Sequence, residues 1–405
     1  MIDKLHKDSC TGCKACGDIC PKEAISFPID AEGFWHPIID EDKCIKCNLC
    51  EKACPALSTS MFENGSRKVP STYKVYHKDK NVRYNSTSGA LYYALAESFV
   101  ENRDYIAGCV YDDDYKGAHH EVGNTVESLQ KIMRSKYFQS DTAGVYKTIK
   151  KLLQKSERVL FCGTGCQVAG LYGFLGKDYP GLYTVELICR GVNSPLAFSS
   201  YMDELEKKFG SEIQEVHLKN KSHGWTNLGT LVKFKNGESY YKDRYHDPWV
   251  NAYIVGNLYI RPCCEHCKYK SFPRVADITI GDFWGLKFSK EEQKLGVSVA
   301  LVNTPKGDEL MSTSKNFMEV EERSLDEAAK GNPALQSTVK MNPDRNEFFK
   351  RIKNEPYSKV VWNLLGITKM SLVISTAKRN TKTLLKKCYY RLIKRRLVRQ
   401  RMELK

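Results

Sequence analysis

Apolar residues recur along this chain with two periods. Residues 72–76, 105–111, 158–162, 182–188 and 296–302 are short apolar or alternating runs bounded by Gly, Pro or polar residues, and they predict β-strands. Residues 90–100 and 142–154 repeat apolar positions every three to four residues and predict amphipathic helices. Residues 228–234 and 237–241 flank Asn236-Gly237, a dipeptide suited to a tight turn, and predict a β-hairpin. This alternation predicts a mixed core of the α/β or α+β class over 73–310. Residues 1–57 lack such runs and form an internal repeat of two cysteine-rich halves, joined by a strand-like return over 33–40. Residues 58–72 read as a polar linker. From 311 to 368 the chain turns polar, and a helical extension punctuated by Pro333, Pro343 and Pro356 is expected. In the last segment, 369–405, Leu384, Leu385, Cys388, Tyr389, Leu392, Ile393 and Leu397 keep helical spacing among lysines and arginines. Such a basic amphipathic helix suits either an anionic membrane surface or docking on the protein's own body.

The cysteines change the picture most. Cys10, Cys13, Cys16 and Cys20-Pro21 repeat as Cys44, Cys47, Cys50 and Cys54-Pro55, each in the order C-x2-C-x2-C-x3-C-P. In this ferredoxin spacing three thiolates of a tight loop converge on one 4Fe–4S cluster, while the fourth cysteine ligates the other. The assignment is Cys10, Cys13, Cys16 and Cys54 for one cluster, and Cys44, Cys47, Cys50 and Cys20 for the second. Zinc and disulfides are the alternatives, but zinc sites take ligands in two pairs, not two interlocked fours. The residues predict an electron carrier.

A second constellation is looser. Cys166 and Cys189 each follow a predicted strand, and Cys264 and Cys267 form a C-x2-C. Strand ends that converge would bring four thiolates to a third 4Fe–4S cluster. Buried free cysteines beside a zinc pair are the competing reading. Cys263 is a neighbouring competitor for ligation, and Cys109, Cys162 and Cys388 read as structural or free thiols.

Charge narrows the partners. Thirteen Lys and Arg against Glu403 alone place +12 of the net +15 in residues 369–405, so the body of the chain does not ask for a nucleic acid. No run of about 18 apolar residues predicts a membrane span, and the first seven residues lack a signal-peptide core. Sixteen cysteines in that setting predict a reducing cytoplasm, with the tail a candidate peripheral contact at the inner membrane surface.

Several ordered stretches then carry a resemblance. They are 86–89, 135–140, 163–170, 187–195, Gly224-Trp225, 261–264 with Cys267, and 277–285. Residues from about 73 to 307 resemble the coenzyme F-420 hydrogenase/dehydrogenase beta-subunit family, iron–sulfur flavoproteins whose members exchange hydride with a deazaflavin. 7-Hydroxymethyl chlorophyll a reductase-like proteins, which work with ferredoxin, share that scaffold. The resemblance implies FAD and a third cluster on Cys166, Cys189, Cys264 and Cys267. This chain departs from the family pattern at Gly165 (usually Pro), Cys263 (usually Ser) and Arg190 (usually His), and Arg190 bears on proton handling.

A flavin is also what the redox chemistry asks for, since clusters pass single electrons and most organic substrates take two as a hydride. No G-x-G-x-x-G fingerprint is present: Gly163 and Gly165 are followed only by Gly170. Ser86, Thr87, Ser88 and Gly89, opening a helix, read alone as an N-cap. With the resemblance they become a pyrophosphate seat at a helix N-terminus. Ser135, Lys136, Tyr137, Gln139 and Ser140 would lie beside it, and Gly163 and Thr164 would approach the ring system. Asp282 reads either as orienting Arg261 or a loop by the third cluster or as part of a structural turn, and His223 reads as polar surface. No catalytic residue stands out. The expectation is an iron–sulfur flavoprotein oxidoreductase, served by ferredoxin or another electron carrier and by a small-molecule hydride donor or acceptor. The alternative is an electron-transfer subunit whose chemistry resides in another chain.

Overall fold

The computed structural model describes residues 2–57, 65–368, 370–374, 376 and 377; the expected basic helix at 381–405, with Cys388, lies outside the described residues. Near the N-terminus two short strands, β1 (Ile25–Ser26) and β2 (Ile38–Ile39), pair antiparallel between the cysteine sets. The rest of the chain builds two further sheets. The strands are β3 (Ser71–His77), β4 (Tyr105–Tyr111), β5 (Ala118–Gly123), β6 (Val159–Thr164), β7 (Leu182–Leu187), β8 (Ile213–Asn220), β9 (Gly229–Phe234), β10 (Ser239–Asp243), β11 (Ile278–Asp282), β12 (Ser298–Val302) and β13 (Met318–Arg323).

The large sheet has the order β13-β3-β12-β11-β7-β6-β4-β5, and its centre, β11-β7-β6-β4, is parallel. Parallel strands are buried on both faces, which explains why β6 and β7 read as nearly continuous apolar runs. Helix Leu91–Glu101 covers one face with Leu91, Leu95 and Phe99 against Ile106, Leu160 and Val185. Helices Val145–Gln154 and Gly165–Leu175 cover the other, where Tyr146, Ile149 and Leu171 meet Ala107 and Phe161. The smaller sheet, β10-β9-β8, contains the predicted hairpin.

The segment expected to be helical from 311 onward differs. It contributes β13, an antiparallel edge strand on β3. Of its residues only Met318 is buried, so backbone pairing, not apolar alternation, specifies it. Strands β5, β8 and β11 are likewise absent from the sequence prediction. The helices Arg345–Arg351 and Tyr357–Leu364 pack back on the body: Tyr357 Oη lies 2.7 Å from Tyr259 Oη, and Arg345 reaches Glu32 at 2.5 Å.

One side chain ties the cysteine repeat to the sheet domain. Arg261 is fully buried. Its Nε donates to Cys10 O at 2.8 Å, one terminal nitrogen to Gln139 Oε1 at 2.7 Å, and the other to Trp35 O at 2.9 Å. Gln139 Nε2 donates to Thr11 O at 3.2 Å, Thr142 Oγ1 to Cys13 O at 2.8 Å, and Lys14 Nζ meets Asp141 Oδ2 at 2.6 Å. Truncation would strand several buried acceptors at once, each worth about 1–3 kcal/mol. Arg261→Ala is therefore expected to lose about 3 kcal/mol or more in denaturant unfolding, and Arg261→Lys, lacking the planar fork, to recover only part of it.

Candidate redox centre

The N-terminal repeat brings its cysteines together in two groups. Cys20, Cys44, Cys47 and Cys50 line one small cavity with Ile25, Ile39, Ile45 and Leu49. Cys10, Cys13, Cys16 and Cys54 gather in the other half, where each thiol feels its neighbours electrostatically. Burial, with Cys54 and Cys10 adding to it, pushes the Cys13 thiol up to about 12 against the Ala15 amide. Thiolates so placed are costly unless a cation compensates them, which iron does when it takes them as ligands. Lys14 and Asn48 adopt positive φ just before the short helices Ala15–Ile19 and Leu49–Lys52, which lets each cysteine loop turn sharply.

Cys166, Cys189, Cys263, Cys264 and Cys267 line a separate cavity of about 200 Å³. Cys166 opens helix Gly165–Leu175 immediately after β6, under a capping box made by Thr164 and Gln167. Cys189 follows β7, and Cys264 ends the short helix Pro262–Cys264 beyond the Arg261 clamp. Burial and the neighbouring Cys264 drive the Cys189 thiol up to about 12. Lys268, Lys270 and Arg274 line the same cavity, so cations surround the donor set, which suits an anionic cluster. Lys270 is anchored by Cys189 O at 2.6 Å, and Arg274 is paired with the fully buried Glu186.

A third cavity, about 470 Å³, lies at the C-terminal ends of the parallel strands. Ser86, Thr87, Ser88, Ser135, Lys136, Tyr137, Gln139, Ser140, Gly163 and Thr164 all line it. Gly89 does not; its amide donates to Ser298 Oγ at 2.9 Å, and a Cβ there would meet Val75 O at 2.6 Å. The lining residues divide sharply by what their polar atoms do. Lys136 Nζ donates to the carbonyls of Lys131, Ile132 and Met133 at 2.9, 3.1 and 2.8 Å, so it caps a helix end instead of standing free for a phosphate. Burial lowers its ammonium to about 8. Gln139 is committed to the Cys10–Cys13 loop, and Ser88 Oγ donates to Val297 O at 2.7 Å. Arg190, the departure that bears on proton handling, is spent on Tyr253 O, Ile254 O and Asn257 Oδ1.

Three buried groups in that wall have no partner: Ser86 Oγ, Tyr92 Oη and Trp249 Nε1. Unpaired buried donors cost about 1–3 kcal/mol each, and an uncommitted set around one cavity is what a bound polar molecule would satisfy. Ser88 and Ala90 hold positive φ on either side of Gly89, a strained loop at the cavity's edge. Sequence reasoning missed Tyr92, Trp249 and His120. Burial lowers His120 to about 4, so it is neutral, with Nε2 3.2 Å from Cys162 O and Nδ1 3.2 Å from Ser140 Oγ. No spacing signal marks these three, because they reach the cavity from separate elements. Asp282 also departs from expectation: it pairs with Lys219 and accepts from Trp225 Nε1 at 2.9 Å, away from Arg261.

Residues 156–328 match the family profile described as coenzyme F420 hydrogenase/dehydrogenase, C terminus of the beta subunit, and residues 9–58 and 36–93 match two 4Fe-4S dicluster domain profiles. The chain carries the beta-subunit domain of the F420 hydrogenase/dehydrogenase family behind a 4Fe–4S dicluster domain. Cys166, Cys189, Cys264 and Cys267 fall inside the beta-subunit match, while Ser86 and residues 135–140 precede it. Among curated proteins, one of the subunits of the ferredoxin:CoB-CoM heterodisulfide reductase of Methanosarcina mazei is 29% identical over 100 residues, 19% of this chain and 13% of that one. The ferredoxin-type protein NapF of Haemophilus influenzae is 35% identical over 49 residues, 12% of this chain and 28% of that one. An uncharacterized ferredoxin of Methanocaldococcus jannaschii is 31% identical over 51 residues, 13% and 65%. The chain thus spans less than two thirds of each curated relative. A chain of the F420-reducing NiFe hydrogenase complex of Methanosarcina barkeri aligns at TM-score 0.46 and 18% identity, over 67% of this chain and 90% of that one. The chain is an iron–sulfur electron-transfer protein related to hydrogenase and reductase subunits, and among its described residues no helix is long and apolar enough to cross a membrane.

The dicluster domain meets the family domain closely at Gly170, where a Cβ would lie 2.8 Å from Cys13 Sγ and 3.0 Å from its Cβ. Gly170→Ala should displace the Cys13 loop. The expected outcome is a folded protein that loses about four iron atoms per chain, the content of one cluster, on anaerobic iron analysis.

Proposed function

We propose that this protein is an FAD- and iron–sulfur-dependent oxidoreductase that links a one-electron carrier to an organic substrate taking two electrons. The observation that carries this reading is a shared wall. Thr164, Cys166, Leu187, Cys189, Gly191 and Val192 line both the 470 Å³ cavity and the 200 Å³ cavity. Thr11, between two cysteines of the dicluster domain, reaches both as well. The second cysteine constellation and the large cavity therefore share one wall, which Thr11 of the dicluster domain also reaches, and among the described cysteines Cys47 is the exposed one. Clusters supply single-electron transfer and FAD supplies the exchange between one-electron and hydride chemistry.

The chain's own residues would serve these groups in separable ways. Cys166, Cys189, Cys264 and Cys267 would hold a third cluster. Ser86 Oγ, Tyr92 Oη and Trp249 Nε1 would donate to the flavin or to its substrate, and the first-turn amides of Leu91–Glu101 favour an anionic group. His120, kept neutral and held by Ser140 and Cys162 O, fixes the wall behind Gln167. Leu187 and Val192 keep the shared wall apolar and restrict water. A second reading, an electron-transfer subunit with its chemistry in another chain, is favoured by the relatives' descriptions as subunits. The carrier and the organic substrate would be a ferredoxin-type protein and a small hydride donor or acceptor.

Anaerobic purification tests the assignment. About twelve iron atoms and one flavin per chain are expected, and about eight iron atoms would remove the third cluster. Cys189→Ser should lose roughly four irons without touching the dicluster signals. Ser86→Ala should weaken flavin retention about tenfold in a dilution assay, the cost of one hydrogen bond to a charged group. Release of no yellow chromophore on denaturation would sink the flavin assignment. Bleaching only after another protein is added would favour the subunit reading.

A further inference from the structure

The wall of the 470 Å³ cavity is unbalanced in charge. Arg134, Lys136, Arg190, Lys219 and Arg244 line it against a single carboxylate, Asp282. Two of these cations are neutralised in place: Arg134 meets Glu215 at 2.6 Å, and Lys219 is paired with Asp282. Lys136 and Arg190 are held by neutral carbonyl and amide oxygens, which occupy their donors and leave their charge uncompensated. Arg244 differs from all four. It is half-buried, and among the described residues its guanidinium makes no hydrogen bond and no ion pair; the Tyr245 ring centre lies 5.7 Å from its Cζ. Its backbone is firmly placed, with the Arg244 amide donating to Leu228 O at 3.1 Å. Asn251 Nδ2 donates to Tyr245 O at 3.0 Å and to Asp247 O at 2.8 Å, which pins the turn that follows β10. Trp249, carried by the same turn, is 1% exposed and holds its indole Nε1 without a partner.

We propose that the part of the wall built by β8, β9 and the turn to Trp249 faces the substrate, and that Arg244 selects there an organic anion, a carboxylate or a phosphate ester. The proposal rests on the flavin reading above and names the class of molecule that would meet the flavin. The division of the cavity supports it. Ser86, Tyr92 and Thr164 come from the large sheet and the helix covering it, whereas Lys219, Leu228, Arg244 and Trp249 come from the small sheet and the turn beyond it. A guanidinium presents five N–H donors in a rigid fork that matches a carboxylate or a phosphate in two parallel bonds. Holding that fork unpaired and half out of water, in a wall already in excess of positive charge, is unfavourable until an anion fills it. Trp249 Nε1 adds a neutral donor to the same wall. Leu218, Leu228 and Val250 line the cavity as well and give it an apolar surface, so the occupant that fits has a hydrocarbon or ring body and an anionic end. The flavin's own phosphates are a second source of negative charge, and the test separates the two.

The test is isothermal titration calorimetry of the full chain, purified without oxygen and with iron and flavin counted, against 2-naphthoate and its neutral isostere 2-naphthamide. Wild type should bind the carboxylate about tenfold or more tightly than the amide, the gain of one hydrogen-bonded charge pair. Arg244→Gln should erase that preference while iron and flavin content hold. Arg244→Lys should restore part of it, which a purely structural role for Arg244 would not do. Equal affinity for the two probes in wild type, binding of neither, or a preference that survives Arg244→Gln would overturn the proposal. Loss of flavin from Arg244→Gln would overturn it too, by assigning Arg244 to the flavin's phosphates. The flavin reading fails separately: a wild type that releases no yellow chromophore, yet prefers the carboxylate and loses that preference in Arg244→Gln, would sink the flavin and support the anion site.

Discussion

Arg261 is the constraint on which the rest of the structure depends. A guanidinium cannot shed its charge, so burying one requires every donor to find an acceptor. Arg261 finds them in three segments far apart in sequence: the first cysteine loop, the return strand at Trp35, and Gln139 beside the large cavity. No carboxylate shares in the arrangement. The consequence is a fixed register between the dicluster domain and the ends of the parallel strands, where single-electron chemistry needs a short and constant separation.

That register is reinforced by absences of side chain as much as by bonds. Gly12 holds φ +70 beneath Gln139 and Arg261, and Gly170 admits the Cys13 sulfur against helix Gly165–Leu175. A larger residue at either place would push the two domains apart. The C-terminal segment closes the assembly from the other side, with Arg345 on Glu32 and on Ile260 O at 2.5 Å.

Around the large cavity, polar residues have sorted into two populations. Lys136, Gln139, Ser88 and Arg190 are bound into the scaffold and shape the wall. Ser86, Tyr92 and Trp249 have buried polar atoms that the scaffold leaves unmet. Serine occurs in both groups, so residue type by itself does not separate them. The place of the cavity itself follows from the sheet: open sheets with parallel strands bind ligands beyond their carboxyl ends. Thr164, Leu187 and Asp282, at the ends of β6, β7 and β11, all line this cavity.

What the chain alone determined was local. Two sets of cysteines at fixed short spacings specify the dicluster domain, because a tight loop can present three thiolates to one cluster whatever lies around it. The apolar runs 105–111, 158–162 and 182–188 were legible as strands for a similar reason: burial on both faces imposes its own composition. Edge strand β13, with a solvated face, imposes none and reads as helix. Only the tertiary structure decided that Cys166, Cys189, Cys264 and Cys267 share a cavity. Likewise, only packing showed that Lys136 caps a helix, that Asp282 pairs with Lys219, and that Trp249 presents an unpaired indole. These are convergences of residues tens to hundreds of positions apart, set by strand order and packing, and no short-range pattern encodes them.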